Sequence, residues 1–266
     1  MTLNNLLIAF GKEKLNTLTK YPSILTLHKL GDNGRLTDAL NLPEMVNGPL
    51  IATEKIDGTN ARIILYGGDF IVGSRENLLH ARGDRFWDPA QGIVDGLKGF
   101  ILDNMLAVPH APMMVIYGEF YGGKVTAASK NYGTSKTGFR VFDVAVFSDA
   151  AQKLAMDRED ISRWRETEGP SGIHYGQQFL SDDELTSVCR NLRLERVPVL
   201  EPFAKELLLT HEGVVAALNS RLKFSEAALT DDALLRPEGV VLRTADRKVI
   251  LKARIEDYER TLKSKR

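Results

Sequence analysis

The chain has 266 residues, with 35 Lys plus Arg against 35 Asp plus Glu and a formal net charge of zero. That length suits one large domain or two small ones and is enough to bury a full core. Apolar residues at 43% and charged residues at 26% exclude a disordered chain, and the charge balance excludes a histone-like basic binder, though not local basic patches.

Residues 3–20 carry Leu3, Leu6, Leu7 and Phe10 at helical spacing, which predicts an amphipathic helix. Tyr21-Pro22 and Gly31-Asp32-Asn33-Gly34 then punctuate the chain. From about 50 to 75 the pattern changes to strands. Ala61 to Leu65 and Phe70 to Val72 are apolar runs joined by Gly67-Gly68-Asp69, a hairpin signal. Residues 89–107 read as a helix, with Ile93, Leu97, Phe100 and Ile101 on one face. Met113 to Tyr117 and Phe139 to Phe147 read as buried strands. The charged and polar stretch 149–168 reads as an exposed helix or an excursion. Ser181-Asp182-Asp183-Glu184 is a capping box that opens a helix over 181–193. Val197 to Leu200 is a short strand, and 203–219 and 225–234 are predicted helices. Gly239 to Arg243 and Lys248 to Ile255 close the chain as two strands around Ala245-Asp246-Arg247. The class is α+β, because the strands do not alternate regularly with helices.

No apolar run is long enough for a membrane span or a leader's apolar core, so a soluble, cytoplasmic protein is expected. The lone Cys189 excludes an internal disulfide and a cysteine-based zinc site, and reads as core. His28, His80, His110, His174 and His211 lack metal-ligand spacing and read as structural. Gly118 to Lys124 matches the start of a phosphate-cradling loop, G-x-x-x-x-G-K. Val125, however, stands where that loop needs Ser or Thr, so the match is set aside.

A stronger signal is the ordered set Glu54-Lys55-Ile56-Asp57-Gly58-Thr59-Asn60, Gly73-Ser74-Arg75, Tyr117-Gly118-Glu119, Phe142-Asp143, Pro237-Glu238-Gly239 and Leu251-Lys252-Ala253-Arg254. Each segment is short and has a bland reading. Lys55 could be a surface lysine beside a turn, and Phe142 could be core. Arg75 beside Glu76 could be a surface pair. Lys252 and Arg254 alternate along a strand and so share one face. In order, from Glu54 to Arg254, the set resembles the covalent nucleotidyltransferases: ATP-dependent DNA ligases, RNA ligases and mRNA capping enzymes. Glu-Lys-x-x-Gly-Thr-Asn is most similar to the RNA ligase 2-like group.

That resemblance implies an ATP-grasp-like nucleotidyltransferase domain of mainly antiparallel sheets flanked by helices. The chain is read as a single such domain over 1–266, with a helical insertion at 149–235, no OB-fold and no separate C-terminal domain. Lys55 would be the nucleophile that takes AMP from ATP, and Lys252 and Arg254 would clamp the α-phosphate. A free lysine amine is mostly protonated at neutral pH, and neighbouring cations or a metal can favour its neutral form. Glu238 would hold magnesium or manganese. Glu119 and Arg75 would reach the ribose, Phe142 the adenine face and Glu54 the adenine pocket. Asn60 would sit near the reacting phosphate or the 3′-OH. AMP would then pass to a 5′-phosphate end, and a 3′-OH would displace it.

Two departures from the family pattern stand out. Arg254 replaces the usual second lysine of the last motif. Only 12 residues follow it, too few for the OB-fold or helical domain that relatives carry. Either the 149–235 insertion or an accessory protein is expected to supply substrate binding. The nucleic-acid partner is expected to be RNA with 5′-phosphate and 3′-OH ends. Asp57, a DNA-ligase-like residue, keeps a small DNA ligase open. Capping with GTP and a non-catalytic nucleotide-binding module are the other readings. The neutral total also conceals basic islands. Residues 247–266 hold eight basic and three acidic residues, and 120–142 hold Lys124, Lys130, Lys136 and Arg140 with no acid. Both islands adjoin the motifs and form an expected nucleic-acid face.

Overall fold

The computed structural model describes residues 2–44, 46, 48–104, 112–166, 176–231, 233 and 235–263, with the side chains of 99–104 left aside. In chain order the elements begin with α1 (Leu3–Phe10), α2 (Lys12–Thr19), β1 (Leu25–Thr26), β2 (His28–Leu30), β3 (Leu36–Leu40) and β4 (Ile51–Lys55). Next come β5 (Thr59–Tyr66), β6 (Asp69–Ser74), β7 (Leu78–Ala81), α3 (Ile93–Asn104), β8 (Met113–Gly122) and β9 (Thr137–Phe147). The chain continues through α4 (Ala150–Ala155), α5 (Arg158–Glu166), β10 (Gln178–Phe179), α6 (Asp182–Asn191) and β11 (Val199–Leu200). It ends with α7 (His211–Arg221), β12 (Gly239–Arg243), β13 (Ile250–Arg254) and α8 (Ile255–Lys263).

Two compact units share the chain. The first comprises residues 1–22, 58–121 and 137–196. Its sheet runs β10-β9-β8-β5-β6-β7, with antiparallel pairing of β9–β10, β8–β5, β5–β6 and β6–β7. Ala61 to Leu65 of β5 are buried in succession, as in a sheet covered on both faces. Tyr66 pairs with Asp69 across Gly67-Gly68, whose φ values of 60° and 73° are those of a tight two-residue hairpin turn. Leu3, Leu6, Leu15 and Leu18 of the first two helices pack with Ile64, Val115, Tyr117 and Phe147 of the sheet.

The second unit comprises residues 23–57, 122–136 and 197–266. Its sheet runs β1-β13-β12-β4-β11, antiparallel except for β1 beside β13, and β2 and β3 form a separate ribbon. Helix α8 buries Ile255, Asp257, Tyr258 and Thr261 on one face. The stretch 149–235, read from sequence as one insertion, is divided: 149–196 belongs to the first unit and 197–235 to the second.

The structure alters several sequence expectations. The helix expected over 3–20 is broken in two by Gly11, whose φ of 83° no helical residue adopts. The helix expected over 225–234 does not form among its described residues. Its backbone is held instead by Glu54, through the amide of Glu226, and by Tyr132, through that of Leu229. The G-x-x-x-x-G-K match ends a β-strand and opens a turn rather than a helix, which agrees with setting it aside. The Ser181–Glu184 capping box forms as expected, and Cys189 is buried. His28, His80 and His211 are buried, while His110 and His174 lie outside the described residues. Among the described residues no helix is long and apolar enough to cross a membrane.

Candidate active site

The register of the second sheet assembles most of the expected chemistry. Lys55 lies opposite Gly239, and Gly239 lies opposite Arg254. One row back, Thr53, Val241 and Lys252 are aligned in the same way. Directly opposed residues of antiparallel strands share a face, and so do alternate residues of one strand. Lys55, Lys252 and Arg254 therefore project from a single face. Gly239 keeps the middle of their row open. A Cβ there would lie 2.1 Å from the Ala253 carbonyl oxygen and 2.8 Å from the Arg254 Cα. Because both are backbone atoms, Gly239→Ala should cost roughly 1–3 kcal/mol or more of stability. A fall in the urea midpoint at unchanged slope would show it.

Glu238 precedes β12 and is fastened on both sides. Its amide donates to the Lys55 carbonyl at 3.1 Å, and its carbonyl accepts from the Ile255 amide at 3.0 Å. Its Oε2 lies 2.5 Å from Lys55 Nζ, and its Oε1 lies 3.7 Å from Arg254 Nη1. Arg254 is held further by a two-pronged contact with Asp257, at 2.7 and 2.8 Å. Asp257 is 1% exposed and also accepts from Arg260 at 2.7 Å. This replacement for the family lysine is thus a braced guanidinium, and its hydrogen bonds to Asp257 raise its pKa. Lys252 is shifted down by burial and then by the nearby Arg254 and Lys55 charges. Asp57 is shifted up, first by burial and then by repulsion from Glu238, with Lys55 and Arg254 opposing.

Glu54 follows the same alternation to the other face. Its buried carboxylate accepts from the Ser225 hydroxyl and, at 2.8 Å, from the Glu226 amide. It ties segment 222–230 to β4 on the side away from Lys55. Ser225→Ala should lower stability by about 1.5–3 kcal/mol, because a hydrogen bond to a buried charge is lost. Chemical denaturation measures that loss directly.

The first unit carries the other expected residues. Asn60 of β5 and Glu119 of β8 are direct cross-strand partners. The Gly58 amide donates to Glu119 Oε1 at 3.1 Å. Asn60 Oδ1 is buried with no hydrogen-bond partner among the described residues. Phe142 of β9 is half-buried and meets Tyr21 edge-on, with ring centroids 5.0 Å apart. Tyr21 in turn donates to the fully buried Asp143 at 2.8 Å. Arg75 lies in the exposed turn after β6, with Glu76 as its ion-pair partner at 3.7 Å.

Sequence reasoning did not assign Tyr132 or Asp257. Tyr132 is buried, and its hydroxyl accepts from the Asp57 amide at 2.8 Å, two residues from Lys55. Burial drives its pKa far above the usual phenol range. Neither residue has a local motif, although Asp257 falls three residues after Arg254, the spacing of a helical ion pair.

Comparison with solved structures adds fold evidence. A variant of the Naegleria gruberi RNA ligase, solved with AMP and manganese, is similar over 91% of this chain and 57% of its own, with a TM-score of 0.50 and 16% identity. Another variant of that enzyme, solved with ATP and manganese, is similar over 79% of this chain and 50% of its own, with a TM-score of 0.45 and 17% identity. This chain therefore spans little more than half the length of those proteins. At such identity the first likeness establishes the fold: the α+β nucleotidyltransferase fold of RNA ligases. No curated protein matches the chain. The family model for RNA ligase matches residues 48–257, which takes in every residue expected from sequence between Glu54 and Arg254, and the chain belongs to the RNA ligase family.

Proposed function

We infer that the chain is an ATP-dependent RNA ligase that forms lysyl-AMP on Lys55, passes AMP to a 5′-phosphate end and seals that end to a 3′-OH. The observation that carries this reading is the single sheet face on which Lys55 stands with Lys252 and Arg254, its amine touching Glu238. Membership of the RNA ligase family supports it.

The donor set fits a divalent cation of the magnesium type. Among the described residues no three His, Cys, Asp or Glu side chains gather as a metal group. Such an ion needs only one or two carboxylates, the rest of its shell being water and phosphate oxygens. Glu238 would hold it, and Asp57 is near enough to feel the Glu238 charge. The bound cation would supply positive charge against the triphosphate.

In the first step the Lys55 amine, after giving up a proton, attacks the α-phosphorus of ATP. A P–N bond forms, the bond to the β-phosphate oxygen breaks, and pyrophosphate leaves. Lys252 and Arg254, on the same face, receive the charge that develops on the α-phosphoryl oxygens. In the second step a 5′-phosphate oxygen attacks the same phosphorus and frees Lys55. In the third, a 3′-OH attacks the activated 5′-phosphate and AMP leaves. Asn60 and Glu119 are proposed to meet the nucleotide, Asn60 through its unpaired oxygen. Arg75 and Phe142 are assigned to ribose and adenine through the family resemblance. Glu54, which the resemblance assigns to the adenine pocket, is engaged with Ser225 and Glu226 on the face away from Lys55 and is given a supporting part only.

The test uses α-labelled ATP with magnesium or manganese, followed by 5′-phosphorylated RNA and DNA ends. Covalent label on the chain and sealed RNA support the reading. Absence of label under all conditions defeats it, and sealing restricted to DNA 3′-OH strands replaces it with the DNA ligase that Asp57 suggests.

A further inference from the structure

We propose that the loop of residues 122–136 is where the sugar–phosphate backbone of the RNA substrate docks, with Lys124, Lys130 and Lys136 as its phosphate contacts. The proposal rests on the ligase reading for its substrate class, and on the structure for the choice of this surface.

Sequence showed two basic islands, and the structure separates them. In the C-terminal island most of the described charge is engaged within the protein, with the exposed Lys263 as the exception. Arg254 pairs with Asp257 and Glu238, Arg260 with Asp257 and Glu256, and Lys248 with Asp246 at 3.0 Å. Arg247 is buried, and Lys252 belongs to the nucleophile's face. In the other island Arg140 pairs with Glu195 at 3.2 Å. Lys124, Lys130 and Lys136 are different: all three are exposed, and none forms an ion pair among the described residues. The exposed hydroxyl residues Thr134 and Ser135 stand between them in the chain.

The loop is a fixed platform rather than a loose tether. Residues 127–131 form a 3₁₀ turn capped by Thr126, with Ser129 returning the capping bond. The Ser129 hydroxyl donates to the Gly122 carbonyl at 2.8 Å, and the Gly123 amide to the Gly133 carbonyl at 2.9 Å. Gly122, at φ 76°, has no room for a Cβ, which would lie 2.4 Å from Leu229 Cδ1 and 2.6 Å from the Lys136 carbonyl. Tyr132 anchors the loop at two points. Its carbonyl accepts from the Leu229 amide at 2.7 Å, and its hydroxyl accepts from the Asp57 amide at 2.8 Å. The loop is therefore built onto the same backbone that presents Lys55. The joined segment also carries the exposed acids Glu226 and Asp231, and neither pairs with the lysines among the described residues.

The three lysines are spaced six residues apart along the loop, Lys124, Lys130 and Lys136. They suit a polyanion read without regard to sequence, because lysine offers a point charge on a flexible stem and hydroxyls add phosphate donors. Each phosphate contact contributes about 0.7–0.9 to the slope of log affinity against log salt.

The test measures binding of a 5′-phosphorylated RNA by fluorescence anisotropy across a salt series. Lysyl-AMP formation with α-labelled ATP is followed in parallel. Substituting Lys124, Lys130 and Lys136 together by Ala should weaken binding about tenfold or more at low salt and lower the salt slope by about 2–3. Label formation without RNA should stay at the wild-type rate. The triple Lys→Arg variant should keep the slope, and Lys248→Ala should change neither quantity. Unchanged affinity and slope in the triple Ala variant would overturn the proposal. So would equal weakening by Lys248→Ala, or loss of lysyl-AMP in the triple variant with its melting temperature intact. If the wild-type chain binds RNA through the loop yet forms no lysyl-AMP, the ligase reading fails and the docking surface stands.

Discussion

Lys55→Ala is expected to reduce covalent labelling by α-labelled ATP by at least about a thousandfold, the scale on which losing a nucleophile is felt. The label in the wild-type chain should be acid-labile and stable to base, as a P–N bond is. Lys55 occupies the end of β4, where its carbonyl is paired with the Glu238 amide and its side chain meets the Glu238 carboxylate. Removing the side chain could also disturb that contact, so Lys55→Arg serves as the partner variant. Arginine keeps a cation opposite Glu238, but its guanidinium stays protonated and cannot attack phosphorus. Both variants should lose the label, while Lys55→Arg keeps the wild-type melting temperature. Neither should abolish joining of RNA that already carries a 5′-adenylate, because that step no longer needs the lysine. Equal labelling of the wild type and Lys55→Ala would end the assignment.

Much of this site was legible because strand alternation is a local property. Lys252 and Arg254 are two residues apart, so a strand puts them on one face whatever the topology. The same rule separates neighbours: Glu54 and Lys55 point to opposite faces, and the Glu54 carboxylate binds Ser225 and Glu226 on the far side. The β12–β13 hairpin is local, but sequence could not supply the register that sets β4 beside β12, since that pairing spans nearly two hundred residues. It also could not supply Tyr132, whose role exists only through a contact 75 positions away in the chain. The helix expected over 225–234 failed for a related reason. The Leu229 amide, which a helix over this stretch would bond to the Ser225 carbonyl, is engaged by the distant Tyr132 carbonyl instead. The two glycines of the β5–β6 turn and the Ser181 capping box are complete within a few residues, and both formed as read.

Glu238→Gln is expected to slow lysyl-AMP formation about a hundredfold or more at a fixed metal concentration. The substitution keeps the shape and removes the negative charge proposed to hold the divalent cation beside Lys55. Three consequences follow from the contacts. Lys55 loses its ion-pair partner at 2.5 Å. Arg254 stays in place, because its two-pronged hold on Asp257 is untouched. The metal concentration for half-maximal labelling rises, because the carboxylate proposed to hold the ion is gone. Stability should change by less than about 1 kcal/mol, since the Lys55 and Glu238 side chains are 26% and 21% exposed and such a pair is partly screened. The pH dependence carries a sign. Repulsion from Glu238 is one of the causes that raise the Asp57 pKa, so removing it lets Asp57 ionise at lower pH. Any limb of the rate–pH profile that reports Asp57 should then move toward acid in the variant. Wild-type labelling by Glu238→Gln, with unchanged metal dependence, would remove Glu238 from the metal site and leave its two backbone bonds as its contribution to the fold.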